Sequence, residues 1–228
     1  MKVGGRRDLV ITIDGPAGAG KSTVARELAR RLNLRFVSTG AMYRALAWAV
    51  KDAGIALNDE ASLQAVLDRT TVALAGSAIL VNGRDVSSEI RTHEIGELTS
   101  QLTRRRSVRD KMTPLQRVLA AEGGVVLEGR DTGSVVWPEA EVKFYLDADL
   151  ETRARRRWAD LRAQGVEMEF ASVRVEVAAR DHQDMSRSLA PLVVPERATI
   201  VDSTGLTTDE VVDRMVHAVE QVLCCIKS

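Results

Sequence analysis

Ile11-Thr12-Ile13-Asp14-Gly15-Pro16-Ala17-Gly18-Ala19-Gly20-Lys21-Ser22-Thr23 is the stretch on which the fold turns. Its last part, Gly15 to Ser22, matches G-x-x-x-x-G-K-[ST]. Upstream, Leu9-Val10-Ile11-Thr12-Ile13 is a short β-branched run of the kind that suits a buried parallel strand. Downstream, Val24, Ala25, Leu28, Ala29 and Leu32 fall on one face of a helix expected over 21–32. Gly15, Gly18 and Gly20 carry no side chains, so the intervening backbone can fold tightly and aim several N–H groups at one anion. The helix N-terminus adds its partial positive charge at the same point. Strand, glycine turn and amphipathic helix in this order predict a cradle for the phosphates of a nucleoside triphosphate, with Lys21 reaching the β- and γ-phosphates and the Ser22 hydroxyl taking Mg²⁺.

Further along, the alternation continues. Arg35-Phe36-Val37 reads as a strand ended by Ser38-Thr39-Gly40, and 41–53 as a helix stopped by Gly54. Near Thr70 the texture changes. Val72-Ala73-Leu74, Ala78-Ile79-Leu80-Val81 and Arg84-Asp85-Val86 are brief strand-like pieces separated by Gly76-Ser77 and Asn82-Gly83, the latter a tight-hairpin signal. They predict a small antiparallel sheet inserted over about 63–100. One helix is then expected over 94–121, followed by strands at Val125-Val126-Leu127, Val142-Lys143-Phe144-Tyr145-Leu146 and Ala198-Thr199-Ile200-Val201. A long charged helical region, about 151–187, precedes the last strand. Thr207 and Glu210 form a capping box, and Val211, Val212, Met215, Val216, Val219, Val222 and Leu223 form the apolar stripe of the final helix. The expected class is α/β: a P-loop fold with a five-stranded parallel sheet, helices on both faces, a small inserted antiparallel subdomain and a helical lid.

Composition restricts the function. The 228 residues are 45% hydrophobic and 28% charged, the profile of a globular chain of one domain. Lys+Arg and Asp+Glu are 32 each, so no basic excess points to nucleic acid or anionic membrane. No run of 18 apolar residues is present, and Met1 to Asp8 lacks the apolar stretch of a secretory signal. The two cysteines, Cys224 and Cys225, are adjacent and cannot staple a fold. These features predict a cytoplasmic protein. Six of the 32 cations are lysine and the rest arginine. Planar guanidiniums grip phosphate bidentately, so where they sit matters more than how many there are.

The cradle alone does not select a reaction. No N-K-x-D segment is present to read a guanine, as a regulatory GTPase requires. The one candidate for an acidic strand beside the cradle, Val125-Val126-Leu127-Glu128, runs directly into Gly129-Arg130-Asp131. An arginine directly after a strand end points to a second anion near the first and favours a small-molecule kinase. Four patches then stand out as acceptor-side candidates, expected to converge beyond the carboxyl edge of the sheet. They are Thr39 to Arg44, Ser100 with Arg109, Gly129 to Asp131, and Arg180 to Arg187.

At this point the chain resembles bacterial cytidylate (CMP/dCMP) kinases. The resemblance rests on Ile13 to Thr23, Thr39 to Arg44, Ser88-Glu89-Ile90-Arg91, Glu128 to Asp131, and Arg180…Asp184…Arg187-Ser188-Leu189-Ala190-Pro191-Leu192. It covers nearly the whole chain, the inserted sheet included. It implies one kinase domain: a core at about 8–62, 122–150 and 190–228, a nucleotide-binding insertion at about 63–100 with the following helix to 121, and a lid at about 151–187. It implies transfer of the ATP γ-phosphoryl group to CMP or dCMP, with Mg²⁺, by a monomer. Gly15, Pro16, Ala17, Gly18, Ala19, Gly20, Lys21, Ser22 and Thr23 would bind ATP, joined by Arg153 and Arg157 from the lid. Asp131, Ser100 and Arg109 would read cytosine, and Arg180 and Asp184 would meet the pentose. Arg44, Arg130, Arg187 and the Thr39 hydroxyl would hold the acceptor phosphate. Lys21, Arg130, Arg157 and Arg187 would neutralise charge during transfer, and Asp14 would order Mg²⁺ waters.

Uracil carries a carbonyl where cytosine has an amine, so Asp131 would face it acceptor to acceptor, a mismatch of about 1–3 kcal/mol. Three residues depart from the usual family pattern: Thr39 for a serine, Ser38 for a frequent aspartate, and Glu128 for an aspartate. The Arg104-Arg105-Arg106 run has no family role and reads as a solvated face. Two alternatives stand beside this reading: a P-loop kinase of another small acceptor (UMP, AMP, shikimate or dephospho-coenzyme A), and a non-catalytic nucleotide-binding regulator.

Overall fold

The computed structural model describes residues 8–226, with side chains through Cys224. The stretch before Asp8 and the side chain of Cys225, both read above, lie outside the described residues. The chain divides into two compact units. One takes the chain up to Ser38 and from Arg117 onward; the other is Thr39–Gln116.

The first unit is built on a five-stranded parallel sheet of β1 (Val10–Asp14), β2 (Arg35–Ser38), β6 (Val125–Glu128), β7 (Val142–Asp147) and β8 (Thr199–Asp202), in the order β2-β6-β1-β7-β8. Every residue of β1 is buried, as the β-branched run requires. Ile11 and Ile13 join Val126, Phe144, Leu146 and Val201 in one core with the apolar stripes of α1 (Lys21–Leu32) and α8 (Thr208–Ile226). Both helices are as expected, and the capping box of α8 forms: Thr207 N–H donates to Glu210 Oε2 at 2.8 Å, and Glu210 N–H donates to Thr207 Oγ1 at 3.3 Å. Because β6 and β7 lie on either side of β1, the strand order switches at β1, and its carboxyl end opens onto the crevice where such sheets take ligands.

The charged helical region expected at about 151–187 is made of two helices, α6 (Leu150–Ala163) and α7 (Phe170–Ser186), joined by a turn at Gly165. Leu161, Val173 and Val177 pack together with Trp158 and Met168 around them, and Trp158 Nε1 donates to Met168 O at 2.9 Å. The break gives these helices a small core of their own, which one long rod could not have.

The second unit holds α2 (Thr39–Asp52), α3 (Glu60–Arg69), the antiparallel sheet β3 (Val72–Ala75), β4 (Ala78–Val81) and β5 (Arg84–Asp85), then α4 (His93–Leu102) and α5 (Arg106–Ala121), which runs past its boundary. The sheet is the one the Gly-Ser and Asn-Gly turns predict. The unit begins at Thr39 rather than near 63, because α2 packs on α4, β3 and β4. Helix α3, capped by Asp59 accepting from Ser62 N–H at 3.0 Å, was not foreseen. The helix expected over 94–121 is interrupted after Leu102. There Thr103 Oγ1 donates to Ser100 O at 3.1 Å and Arg109 Nε donates to Thr103 O at 2.8 Å, so side chains satisfy the end of α4. The arginine run is this break: Arg105 pairs with Glu60, while Arg104 and Arg106 are exposed.

Candidate functional site

A loop that presents its amides inward must turn its carbonyls outward, and those carbonyls need donors. Three cations supply them within the first unit. Lys21 Nζ donates to Pro16 O at 2.6 Å, Arg153 Nη1 to Ala17 O at 3.0 Å, and Arg156 Nη1 to Ala19 O at 3.3 Å. Arg156 also donates to Ser203 Oγ and Ser203 O, both at 2.9 Å. The backbone conformation is one that glycine alone accepts at two points. At Gly15, with φ 151°, a Cβ would lie 2.0 Å from Leu146 O; at Gly18, with φ 75°, it would lie 2.6 Å from Arg153 O. The first turn of α6 is thus packed directly under the loop.

This changes the reading of the lid arginines. Arg153 is buried, its guanidinium spent on Ala148 O, Ala17 O and Asp181, so it braces the loop instead of waiting in solvent for ATP. The reason is its place in the first turn of α6, directly after β7. Arg157, one turn on, is half-buried and acts on the Asp160 carboxyl. Arg156 and Asp181 were passed over in the sequence, although Arg156 lies in the run from which Arg153 and Arg157 were chosen.

Lys21 is buried. Burial and the neighbouring Arg130 push its ammonium down to about 7, against the pull of Glu128, Asp184 and Asp14. A lysine held this way gains most by meeting a phosphate.

Asp14 is fully buried too, and burial raises its carboxyl to about 6. Its Oδ1 accepts from Thr132 N–H and Thr132 Oγ1, and its Oδ2 from Gly133 N–H, all at 2.8 Å. The expectation that it orders Mg²⁺ waters gives way: Asp14 fastens the tight turn Thr132–Val136, which follows Asp131. Among the described residues no cluster of three His, Cys, Asp or Glu side chains is placed to hold a metal. The exposed Ser22 hydroxyl in the first turn of α1 fits a Mg²⁺ that arrives with its nucleotide, since that ion takes few protein ligands beside waters and phosphate oxygens.

The acceptor-side residues of this unit converge. Asp184 is the hub: its Oδ2 lies 2.9 Å from Arg130 Nε and 3.7 Å from Arg180 Nε, and its Oδ1 lies 3.6 Å from Arg187 Nη1. Arg187 Nη2 also lies 3.7 Å from Asp131 Oδ1. Burial opposes ionisation of Asp184, but Arg130, Arg180 and Arg187 together hold its carboxyl below the usual range. Three guanidiniums and two carboxylates leave the cluster one charge positive, suited to an anion. The segment Ser188 to Leu192 serves Arg187: its Nε donates to Ala190 O at 2.5 Å, with Ala190 in a left-handed conformation at φ 48°. Leu192 N–H closes the turn on Asp184 O at 2.8 Å.

Ser38 and Glu128 end the paired strands β2 and β6, and Ser38 Oγ donates to Glu128 Oε2 at 2.8 Å. Two of the three residues read as departures from the family pattern are therefore partners.

In the second unit, Thr39 is buried at the start of α2, and Arg44 Nη1 donates to Ile90 O at 3.0 Å. Arg44 lies beside Gly96 of α4, where a Cβ would come within 3.4 Å of its guanidinium. Ser100 and Arg109 are both buried, and the Arg109 guanidinium lies 5.9 Å from the centre of the Tyr43 ring.

Residues 11–221 match the family described as cytidylate kinase. The chain is 46% identical over 225 residues to a cytidylate kinase of Geobacter sulfurreducens, covering 97% of each chain. It is 46% identical over 218 residues to one of Symbiobacterium thermophilum, covering 93% of this chain and 96% of that one. Among solved structures, a shikimate kinase from Bacteroides thetaiotaomicron aligns with a TM-score of 0.51 and 16% identity, covering 93% of this chain and 98% of that one. An uncharacterized protein from Eubacterium ventriosum aligns at 0.53 and 12%, covering 94% and 99%. These structural likenesses speak for the fold, whereas the sequence relatives span both units, and on them the chain belongs to the cytidylate kinase family.

Proposed function

We infer that the protein transfers the γ-phosphoryl group of ATP to CMP or dCMP, giving ADP and CDP or dCDP. The observation that carries this reading is the gathering of Arg130, Arg180 and Arg187 on Asp184 beside Asp131, with Lys21 within electrostatic reach of Arg130 and Asp184. A cradle for one polyanion thus adjoins a guanidinium cluster for another.

The residues divide the work as follows. The Lys21 ammonium holds the donor phosphates together with loop amides between Gly15 and Thr23, apart from Pro16, which has no N–H, and Ala17, whose N–H is taken by Asp181. Arg130 and Arg187, with Thr39 and Arg44, hold the acceptor phosphate and aim its oxygen in line with the γ-phosphorus. Asp131, Ser100 and Arg109 read cytosine, and Arg180 and Asp184 meet the pentose. The acceptor is already an anion, so no general base is needed. Lys21, Arg130, Arg187 and, from the lid, Arg157 spread the charge that develops on the moving group. The Ser22 hydroxyl would help hold a Mg²⁺ ion that comes with ATP, and the ion would supply positive charge against that of the phosphates. Closure of α6 and α7 would keep water from taking the phosphoryl group. The reading makes the protein a cytoplasmic monomer that works on free nucleotides; no helix among the described residues is long and apolar enough to cross a membrane.

Two results test the reading. In an ADP-release assay with an acceptor panel, CMP and dCMP should exceed UMP by about ten- to a hundredfold in kcat/KM, the worth of one opposed acceptor pair. Another acceptor ahead, or no turnover with any, would overturn the assignment. The second concerns protons. Phosphates should raise the Lys21 ammonium from about 7 toward its ordinary value, so binding takes up protons wherever free Lys21 is neutral and bound Lys21 is charged. Titration calorimetry with Mg·ATP in buffers of different ionisation heat should report close to one proton taken up at pH 8 and about a tenth at pH 6. Uptake that does not fall with pH would remove Lys21 as its source.

A further inference from the structure

Ala17 is held at both ends of its backbone. Its N–H donates to Asp181 Oδ1 at 3.1 Å, and its carbonyl accepts from Arg153 Nη1 at 3.0 Å. Arg153 in turn pairs with Asp181 Oδ2 and donates through Nε to Ala148 O at 2.9 Å. Both side chains are about nine-tenths buried, at 8% and 7% exposure. A carboxylate beside a phosphate loop opposes the very ligand the loop takes, and it is tolerable here because Arg153 neutralises it. A loop with glycines at 15, 18 and 20 otherwise samples many conformations, and each amide must be fixed before it serves an anion.

We propose that Asp181 is a positioning residue of the donor site, acting with Arg153 to hold the Ala17 peptide so that the loop's amides are set before ATP arrives. The inference rests on the reading of the loop as the ATP site. It also gives α7 two duties one turn apart: Asp181 faces the donor loop, and Asp184 gathers the arginines of the acceptor side. The two duties are separable, so a change at Asp181 should touch the donor and spare the acceptor.

The test measures ATP and CMP binding separately by titration calorimetry, and both Michaelis constants, for the full chain carrying Asp181→Ala or Asp181→Asn. Asp181→Ala removes a charged acceptor and should weaken ATP about tenfold or more, with the ATP KM rising in step. CMP affinity and its KM should stay within about twofold, as for a substitution away from that ligand. Asp181→Asn keeps an oxygen for the Ala17 N–H and should restore part of the loss. Unchanged ATP affinity at an unchanged Tm would overturn the proposal, and so would equal weakening of ATP and CMP, the mark of general damage. Should Asp181→Ala not fold, Asp181→Asn alone decides by the same split between the two ligands. Because donor binding is the readout, a wild-type chain that bound ATP but phosphorylated no CMP would count against the acceptor assignment, not against this one.

Discussion

Replacing Lys21 with alanine is expected to lower kcat by about three orders of magnitude or more, the cost of removing a preorganised charge from a transferring phosphoryl group. The fold should survive, because the Lys21 ammonium is tied to the loop through Pro16 O and its charge sits in a buried place. The sign of the stability change follows from linkage. The folded ammonium lies at about 7 and the unfolded one near its ordinary 10.5, so between these values the unfolded chain binds more protons. Wild-type stability without nucleotide should therefore rise with pH from about 7 to 10.5, the penalty being fully present below that window. Lys21→Ala should flatten this slope. Thermal melts from pH 6 to 10, run beside the kinetic assay, check both parts; substantial turnover retained by the variant would remove the donor assignment.

Asp131→Asn is expected to lower kcat/KM for CMP about a hundredfold, since an amide N–H₂ would face the cytosine amine in place of an acceptor. The KM for ATP should change little, and UMP should lose much less than CMP, narrowing the gap between them. Asp131 is buried and 3.7 Å from Arg187, so part of the loss will come through that guanidinium. Substrate choice separates the two contributions, because a displaced Arg187 would penalise CMP and UMP alike. Equal losses for CMP and ATP would show that Asp131 does not read the base.

The parts of this molecule legible in the sequence are those where one residue type answers one local demand. Gly15 and Gly18 mark backbone that a Cβ would forbid, and the β-branched run before them marks a strand buried throughout. Asn82-Gly83 marks a hairpin that forms as expected. The break after Leu102 was not legible, because no glycine or proline marks it; Thr103 and Arg109 end the helix with side chains that serve equally well inside one. The region 151–187 hid its turn at Gly165 among charged residues that continue a helix readily. Asp14 and Arg153 were misread for a common reason. Each sits beside the loop in sequence or pattern, and nothing local shows that its charge is already used, on Thr132 and Gly133 in one case and on Ala17 and Asp181 in the other. The gathering of Arg130, Arg180 and Arg187 was expected from the place of Arg130 directly after a strand end and from the resemblance, since the spacing within 180–187 alone would also fit an exposed ladder of ion pairs.

The Ser38–Glu128 hydrogen bond bears on how relatives are compared. Ser38 and Glu128 face each other at paired strand ends, so a change at either position alters what the other side chain meets. Chimeras that exchange either position alone would give up this hydrogen bond, so the two sites are best moved together.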